Sequence, residues 1–562
     1  MKILTDIFPL KAQFLKNEQV RLRIRLSNPE PRSRNLTVQI TVMHLTQAVE
    51  EKEIKVSLRA LEVFTLDVEL SAWNTDFEGF GADVSLLENE SVIESGSTAF
   101  DIVSNWRKAT RYGFLSEFGP EETSDADVEF LLKFHINLVQ FYDWVYRHDD
   151  YIPPQQEYLD LMGKKHSLPV LKRKIKECHD CGMKTFAYGA VYAASEEYYR
   201  AQEDSGFYTS SGQPYRFIDI FYIMNIAEDS LWRSHIVGEY EKALKAENFD
   251  GIHIDTYGFP KSGISKVGGN EKEIYLDKEF PVFIRDARAR LSQTDPDCGL
   301  IFNNVCNWPV DGTAAEADAV YIEVWEPYER YYHIQQIIAR AKNAGNGKPV
   351  ILAAYLKPFQ EKDRETEAEN AALLLTAAIT ANGAYHLLLG EENGVLTQGY
   401  YPDHSTLRDA FLPRMRRYYD FIVRYGEILF DGTLRDVSMT HSGGDNLEYQ
   451  FKNGRFSPYA QPDSVWTVIR ESHERKVLNF INLTGNGEDF WNKGKQPPVL
   501  QHDIQICAEI LKQPKAVYWA CPDGEDGKPK LLPYRVEEGQ RGKVLETCLP
   551  ELRFWSMIVI EF

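Results

Sequence analysis

Hydrophobic and polar residues alternate with a period of two over residues 1 to about 105, in runs such as VRLRIRLSN, LTVQITVMHL and FTLDVELSA. Because successive side chains of a β-strand point to opposite faces, this pattern predicts half-buried antiparallel strands. We expect an N-terminal immunoglobulin-like β-sandwich over residues 1–106. The stretch from about residue 435 alternates in the same way, in VWTVIRE and VLNFINLTG, and predicts a C-terminal antiparallel β-sandwich over residues 433–562.

Between these two regions, over residues 107–432, short apolar runs alternate with longer helical patterns. The helical patterns include SLWRSHIVGEYEKALKA and YERYYHIQQIIARAKNAG, and the helix between the fifth and sixth runs is the least clear. Eight such strands with intervening helices predict a central (β/α)8 TIM barrel, so the expected fold class is α/β. The eight runs are RYGFLSEF, INLVQFYDW, KTFAYGAVY, GIHIDTYG, GLIFNNV, AVYIEVWE, PVILAAY and GAYHLLL.

The ends of these strands carry polar and aromatic residues. In a (β/α)8 barrel the reacting groups lie at the C-terminal ends of the strands, where eight loops converge above a packed interior. Such a rim suits a flat, hydroxylated ligand, although tyrosines also fill cores. The candidate binding residues at the rim are Tyr142, Asp143, Trp144, Tyr188, Tyr257, Asn303, Asn304, Trp325 and Glu326.

Two carboxylates on this rim form the best candidate pair, Asp255 and Glu323. Each ends an apolar run, and an aromatic residue follows it within two positions. Two facing acids suit glycosidic cleavage, in which one protonates the leaving oxygen and the other attacks the sugar. Burial beside Trp325 would raise the pKa of Glu323 and suit it to the acid/base role, which leaves the shorter Asp255 as nucleophile.

Other interpretations of the rim residues stay open. An aspartate at a strand end is often a helix N-cap or a hydrogen-bond acceptor in a loop. Glu326 is a rival for the acid role, and it could equally cap the helix predicted near Pro327. Asp143 could bind a substrate hydroxyl or pair with Arg147, and His148 could be a structural hydrogen-bonding residue.

Composition narrows the possible partners. The formal net charge of −21, without any basic run, disfavours nucleic acids and anionic membrane surfaces, and no apolar run reaches the length of a membrane span. Apart from Cys178 and Cys181, which we interpret as structural, no His or Cys cluster has ligand spacing, so we expect no metal and no cofactor. Asp6 and Lys11 interrupt the first apolar residues, which predicts a cytoplasmic protein unless a signal was removed before residue 1.

Five blocks, RYGFLSEFGP, FHINLVQFYDWVYRHD, FDGIHIDTYG, FNNVCNWP and YIEVWEPY, together resemble the dextranases and cycloisomaltooligosaccharide glucanotransferases of glycoside hydrolase family 66. The resemblance extends along the chain in the order sandwich, barrel, sandwich. By its motifs it implies that Asp255 is the nucleophile and Glu323 the acid/base of a reaction that retains the anomeric configuration. The residues that it implies along the glucan cleft are Tyr142, Asp143, Trp144 and His148.

The family that the chain resembles contains two activities. Some members hydrolyse α-1,6-glucan, and others make cyclic isomaltooligosaccharides by intramolecular transfer and carry an extra carbohydrate-binding module inserted in the catalytic region. The sequence has no inserted β-rich segment of that size between the seventh and eighth strands. We therefore expect a dextranase-like hydrolase acting on dextran or isomaltooligosaccharides. The alternatives are a cycloisomaltooligosaccharide glucanotransferase and a non-catalytic glucan-binding protein.

Overall fold

A curled sheet of parallel strands lies at the centre of the protein. The computed structural model, which describes residues 2–524 and 526–562, has a mixed α/β fold. Each parallel strand pairs with the next one along the chain. These strands are β1 (Tyr112–Leu115), β2 (Leu138–Phe141), β3 (Lys184–Ala190), β4 (Gly251–Asp255), β5 (Gly299–Val305), β6 (Ala319–Glu323), β7 (Val350–Ala353) and β8 (Tyr385–Leu387).

The two ends of this sheet meet. Directly after β8, the short strand Leu389–Gly390 pairs in parallel with β1 through Gly390 and Phe114. The eight runs predicted from the sequence coincide with β1 to β8, because continuous apolar strands are what a parallel sheet covered on both faces requires. The C-terminal ends of all eight strands therefore face the same side of the sheet.

Helices connect most of the parallel strands. Helix α4 is capped at its start by Ser230, whose side chain accepts a hydrogen bond from the Trp232 N–H, and at its end by Asn248 in the left-handed conformation. The connection from β5 to β6 holds only the single-turn α6, so its helical pattern in the sequence is weak. The helices are α1 (Ala126–Lys133), α2 (Leu168–Asp180), α3 (Glu196–Ala201), α4 (Leu231–Glu247), α5 (Leu276–Leu291), α6 (Val310–Thr313), α7 (Tyr331–Ala344), α8 (Glu365–Ala381), α9 (Leu412–Arg424) and α10 (Gly426–Leu429).

Short antiparallel pieces occupy the loops at the C-terminal side of the sheet. They form a hairpin after β2, two three-stranded sheets from the chain around β4, and a turn after β8. These strands are Glu157–Leu159, Lys165–Ser167, Ala193–Ala194, Phe207–Tyr208, Arg216–Phe217, Phe221–Ile223, Ser262–Ser265, Lys272–Tyr275, Gly394–Val395 and Ser405–Thr406. The short 3-10 helices are Trp106–Lys108, Glu203–Ser205, Val267–Gly269, Lys357–Gln360, Lys362–Arg364 and Tyr401–Asp403.

Two antiparallel sheets precede β1 and share one buried hydrophobic cluster. Leu22 and Val68 from one sheet and Val38 and Val84 from the other lie in that cluster. Alternate residues of each strand point into it, which is the period-two pattern of the sequence. The first sheet has the strands Leu4–Pro9, Gln19–Ser27 and Val63–Ala72, and the second has Arg34–His44, Gln47–Leu58, Glu78–Glu88 and Ser91–Ile102.

Two more sheets, antiparallel except where Phe456–Ser457 pairs in parallel with its neighbour, follow α10. They also share a hydrophobic cluster, to which Ile469, Phe480, Ile506 and Leu549 contribute. One sheet consists of Arg435–Asp436, Phe456–Ser457, Val465–Glu471, Arg475–Asn482, Ala516–Ala520, Lys530–Leu531 and Trp555–Glu561. The other consists of Tyr449–Lys452, Gln501–Glu509, Tyr534–Gly539 and Gly542–Leu552.

Helix α8 joins the central sheet to the C-terminal sheets. Every residue from Ala368 to Ala381 is buried, because the helix contacts both β8 and the strand Arg475–Asn482. Most of these residues are apolar, as expected of a helix that is buried on all sides. Within the described residues, none of the helices is both long and apolar enough to cross a membrane.

Candidate active site

Asp255 and Glu323 lie at the C-terminal ends of two strands that flank the same neighbour. Asp255 is the last residue of β4, Glu323 is the last residue of β6, and β5 pairs with both. The residues before each acid are fully buried, so hydrogen bonds and packing fix the backbone position of both carboxylates. The ends of these strands therefore bring together two acids that are 68 positions apart in the sequence.

A single amide group connects the two carboxylates. The Asn303 Nδ2 group, on β5, donates to Asp255 Oδ1 at 2.7 Å and to Glu323 Oε2 at 3.1 Å. Those two oxygens are therefore no farther apart than the sum of these two distances. That sum is shorter than the roughly 6.5–9.5 Å that separates the acids of inverting glycosidases, and it agrees with the roughly 5–5.5 Å of retaining pairs.

Each carboxylate also accepts a hydrogen bond from a tyrosine. The Tyr188 hydroxyl, on β3, donates to Asp255 Oδ2 at 2.8 Å. The Tyr355 hydroxyl, just after β7, donates to Glu323 Oε1 at 2.9 Å. The Trp325 ring packs edge-on against Tyr355 with ring centroids 5.5 Å apart. Both acids are thus held in one orientation by neutral donors.

Burial changes the acidity of this pair. Burial raises the pKa of Asp255, and the nearby Glu323 charge raises it further. Burial likewise raises the pKa of Glu323, while the donors Asn303 and Tyr355 oppose the increase. Two carboxyl groups this close do not both ionise readily, so the pair retains a proton to higher pH than an isolated acid does.

A group of stacked aromatic rings lies beside the two acids. Tyr142 stacks on Tyr401 with centroids 4.2 Å apart, and its ring also contacts Tyr188. The Tyr401 hydroxyl lies 3.3 Å from that of Tyr355 and 3.1 Å from that of Tyr321. These hydroxyls form a chain that reaches Glu323 through Tyr355.

Three more predicted residues lie close to Tyr188. His148 packs edge-on against Tyr188, and its Nε2 lies 3.1 Å from Asp143 Oδ1. Asp143 has a positive φ of 52°, a conformation that turns the chain sharply after β2. Tyr257 stacks on Phe217 with centroids 4.0 Å apart. The structure therefore gathers these side chains on the Asp255 side of the site.

Three residues that the sequence predicts at the ligand-binding rim have other surroundings in the structure: Trp144, Asn304 and Glu326. The Trp144 ring is fully buried against Tyr151 and Phe249, so it offers no face to a ligand. Because side chains alternate along a strand, Asn303 faces the acids while Asn304 faces away. Asn304 donates to the carbonyls of Phe302 and Tyr321 and accepts from the Thr313 hydroxyl.

Glu326 is exposed, unlike Glu323. It does not begin α7, which starts at Tyr331 after a capping interaction between Arg330 and His333. The N-cap role considered for Glu326 is therefore wrong.

Three residues that border the acids are absent from the candidate binding residues predicted from the sequence. Tyr355 lies just after β7, at a strand end, but an isolated tyrosine has no distinctive pattern. Tyr401 and Gly399 belong to the loop after β8, and no periodicity predicts that this loop folds back over the sheet. A Cβ atom built on Gly399 would lie 3.2 Å from Glu323 Oε1. In the described part of the chain, no group of three or more His, Cys, Asp or Glu side chains could hold a metal ion.

Known proteins share the sequence and the fold of this chain. A sequence model described as Glycosyl hydrolase family 66 matches residues 9–559. Two proteins of Niallia circulans, both described as cycloisomaltooligosaccharide glucanotransferase, are 24% identical over 709 aligned positions. The alignments cover 99% of this chain and 71% and 72% of the two relatives.

A solved structure is similar as well. A crystal structure of a Paenibacillus sp. cycloisomaltooligosaccharide glucanotransferase, complexed with cycloisomaltoheptaose, has a TM-score of 0.90 to this protein at 22% identity. The match covers 99% of each chain.

Proposed function

The chain belongs to glycosyl hydrolase family 66, and from this premise we propose that it is a retaining enzyme that cleaves α-1,6-glucosidic linkages of dextran or isomaltooligosaccharides. The observation that carries the proposal is the pair of carboxylates joined by the Asn303 amide. Two acids at this separation suit a mechanism with a covalent intermediate, because the space between them does not accommodate an attacking water as well as a sugar.

The reaction is a double displacement. Asp255 attacks the anomeric carbon of a glucose unit, the bond to O6 of the next unit breaks, and Glu323 gives its proton to that oxygen. In the second step Glu323 takes a proton from water, the water oxygen bonds to the anomeric carbon, and Asp255 leaves. Two inversions give a product with the original α configuration.

The hydrogen bonds around the acids support this division of roles. Asp255 accepts from Asn303 and Tyr188 at 2.7 and 2.8 Å, while Glu323 accepts from Asn303 and Tyr355 at 3.1 and 2.9 Å. Shorter bonds to a carboxylate favour its charged form, and aspartic acid is also the stronger acid in water. In the proposed reaction the proton that the pair retains must be on Glu323 when the first step begins, so that Glu323 can protonate the leaving oxygen.

The remaining rim residues would bind the glucan. Tyr142, Tyr188 and Tyr257 offer aromatic faces or hydroxyls beside Asp255, and Asp143 with His148 offers polar groups to sugar hydroxyls. Trp325 borders Glu323, where the leaving group would lie. Glu326 remains an alternative acid, although its exposure would keep its carboxyl in contact with water.

The architecture that presents this site is part of the proposal. The pairing of Leu389–Gly390 with β1 supports a closed (β/α)8 barrel over residues 107–432. The paired sheets on either side support β-sandwiches over residues 1–106 and 433–562. In such a barrel the catalytic groups lie at the C-terminal strand ends, where Asp255 and Glu323 are found.

Hydrolysis, rather than cyclisation, is the outcome we propose. The connection from β7 to β8 holds α8 and short 3-10 helices and no strand within its described residues. The alignments to the Niallia circulans proteins span 709 positions although this chain has 562 residues, so those relatives contain insertions that this chain lacks. Cyclising transfer is the second candidate, because those relatives and the similar crystal structure are described as glucanotransferases.

Incubation with long dextran, followed by chromatography and mass spectrometry of the products, tests the proposal. We expect linear isomaltooligosaccharides, each with the mass of added water. Cyclic products, which lack that water, would identify the transferase instead. Retention of dextran without any product, under conditions where the folded protein is stable, would identify a glucan-binding protein and overturn the enzymatic proposal.

A further inference from the structure

A cavity lies on the opposite side of the central sheet from the acids. Its volume is about 960 Å³, which is within the range of small-molecule sites. It is bordered by α7, the start of β8, the segment that follows α10 and the first residues of the C-terminal sheets. Nothing in the proposed glucan reaction uses it.

The lining of this cavity is positively charged. Six Lys and Arg residues line it against three Asp residues, in a protein whose formal net charge is −21. The acids are also engaged elsewhere. Asp318 pairs with Arg107 and Arg288, and the carboxylates of Asp431 and Asp436 accept hydrogen bonds from their own turns. Two of the six cations are thus paired with carboxylates, Arg107 with Asp318 and Lys108 with Asp76, whereas within the described part of the chain Lys342 and Arg470 are not.

Two of these cations converge on one point. A Cβ atom built on Gly383 would lie 2.2 Å from Lys342 Nζ and 3.1 Å from Arg470 Nη1, so both groups surround the same glycine. Arg470 is only 3% exposed. Its Nη2 donates to the Asp431 carbonyl at 3.0 Å and its Nη1 to the Leu429 carbonyl, while Lys342 Nζ donates to the Asn382 carbonyl.

Among the described residues, no carboxylate lies within 4 Å of either cation, although the more distant charge of Asp436 acts on both and that of Asp431 on Arg470. Holding two like charges together away from water is unfavourable unless an anion compensates them. Burial and the charge of Arg470 lower the pKa of Lys342 to about 7, and burial lowers the pKa of Arg470 to about 10.

We propose that this cavity binds the phosphate group of a small molecule between the side chains of Lys342 and Arg470. A bound phosphate dianion favours the charged form of Lys342, so that it is matched by two cations, and the guanidinium of Arg470 presents the geometry that phosphate oxygens prefer. Asn343 and Asn346 also line the cavity and offer neutral donors to the rest of the ligand. The cavity is larger than a phosphate ion alone requires.

Binding is measured by calorimetry and by melting temperature, with inorganic phosphate and glucose 6-phosphate as probes and with chloride and acetate at equal ionic strength as references. We expect both phosphates to bind with one-to-one stoichiometry and to raise the melting temperature in a saturable way, because a ligand that binds the folded state stabilises it. Tighter binding of glucose 6-phosphate would assign the site to a sugar phosphate, and equal affinities would assign it to free phosphate. No phosphate-specific effect, or an equal effect of acetate, would overturn the proposal.

Variants of Lys342 test whether phosphate binds at this residue. Lys342→Met keeps the length of the side chain and should weaken phosphate binding about tenfold or more. Lys342→Glu supplies Arg470 with a carboxylate, so it should raise the melting temperature in chloride and abolish the phosphate response. Lys176→Met, at an exposed lysine on α2 paired with Asp180, is the matched control and should bind like the unmodified protein. Unchanged binding in Lys342→Met would contradict the assignment. None of these readouts involves dextran cleavage, so the proposed function is tested independently.

Discussion

At the scale of single residues, the amide of Asn303 is the group that both candidate catalytic acids share. It donates to Asp255 and Glu323 at once, and its own Oδ1 has no hydrogen-bond partner and is buried. A donor of this kind lowers the pKa of both carboxyl groups. Asn303 therefore sets the pH range in which one acid is charged and the other protonated.

Replacement of Asn303 by alanine should move the pH profile of kcat/KM to higher pH on both sides, by about one unit. The acid side moves because Asp255 then ionises at higher pH, and the alkaline side moves because Glu323 keeps its proton longer. Turnover at the optimum should fall about 100-fold. Asn304→Ala is the matched control, because Asn304 faces away from the acids; it should lower the melting temperature and leave the profile where it is. An unshifted profile in Asn303→Ala would show that the amide does not tune the pair.

Replacement of Asp255 by asparagine should stabilise the fold while it abolishes cleavage. The pKa of this carboxyl group is higher in the folded state than in the unfolded chain. When the pH rises above its pKa in the unfolded chain, the group ionises more readily there, and the folded state loses stability relative to the unfolded chain. The pKa of Asp255 is raised in this way by burial and by Glu323. At pH 7 the variant should melt a few degrees higher than the unmodified protein, and near pH 4 the difference should vanish. A variant that melts lower at pH 7 would contradict the raised pKa.

Some of these residues were predictable from the sequence, and others were not. Asp255 and Glu323 were, because apolar strands end at them. The choice between Asn303 and Asn304 was not, because both are amides and only the phase of the strand decides which one faces inward. Trp144 follows a strand end like a ligand-binding aromatic residue, but its ring turns toward Phe249 and the core.

At the scale of elements, the loop after β8 completes the site. Gly399 lies against Glu323, Trp325 and Tyr355, and its carbonyl accepts a hydrogen bond from the Tyr142 hydroxyl at 3.1 Å. The absence of a side chain lets the loop approach the acid closely. The loop thereby links the Asp255 side of the site with the Glu323 side.

Gly399→Ala should lower kcat by about tenfold or more while the protein still folds, because the new methyl group would lie within 3.2 Å of Glu323 Oε1 and displace it. Gly426→Ala is the control, since a Cβ atom there meets no atom within 4 Å. Steady-state kinetics on dextran and melting curves of both variants are the measurements. Normal turnover in Gly399→Ala would mean that the loop moves away from Glu323 during the reaction.

The parallel strands and the longer helices were the predictable elements, since continuous apolar runs and 3.6-residue periodicity are strong local patterns. Helix α1 and the short antiparallel pieces after β3 and β4 were not anticipated. Strands of two to four residues, such as Phe207–Tyr208, contain too few alternating positions to form a pattern. Tertiary pairing, rather than local sequence, determines them.

At the scale of the whole molecule, helix α9 attaches the N-terminal sheets to the central sheet. Arg424 is 2% exposed and pairs with Asp83 on the strand Glu78–Glu88, with distances of 3.1 and 3.3 Å. Gly81 on the same strand leaves room for the guanidinium, because a Cβ atom there would meet it at 2.1 Å. Arg416 and Asp6 form a second ion pair along the same helix. These contacts were invisible to sequence patterns, because their partners are hundreds of positions apart.

Arg424→Met should destabilise the protein by about 3 kcal/mol, because it removes the closer partner of the buried Asp83 carboxylate and leaves Lys528 Nζ at 3.8 Å. The activity per folded molecule should be unchanged, since α9 is remote from the acids. Adding Asp83→Leu should recover part of the loss, as removal of both charges costs less than removal of one. Arg23→Met, which breaks an exposed pair with Asp67, should cost less than about 1 kcal/mol. Melting temperatures and residual activity check these outcomes. If the Arg424→Met variant were as stable as the Arg23→Met variant, the Arg424–Asp83 pair would not attach the N-terminal sheets to α9.

The central claim is that Asp255 forms a covalent bond to the sugar, and trapping that intermediate tests it most directly. A 5-fluoro-α-glucosyl fluoride should label the protein with one glycosyl group, because the ring fluorine slows the second step more than the first step with its good leaving group. Peptide mass spectrometry should locate the label on Asp255 within FDGIHIDTYG. A label on Glu323, or turnover of the reagent to the β-configured 5-fluoro sugar without any covalent species, would contradict this assignment.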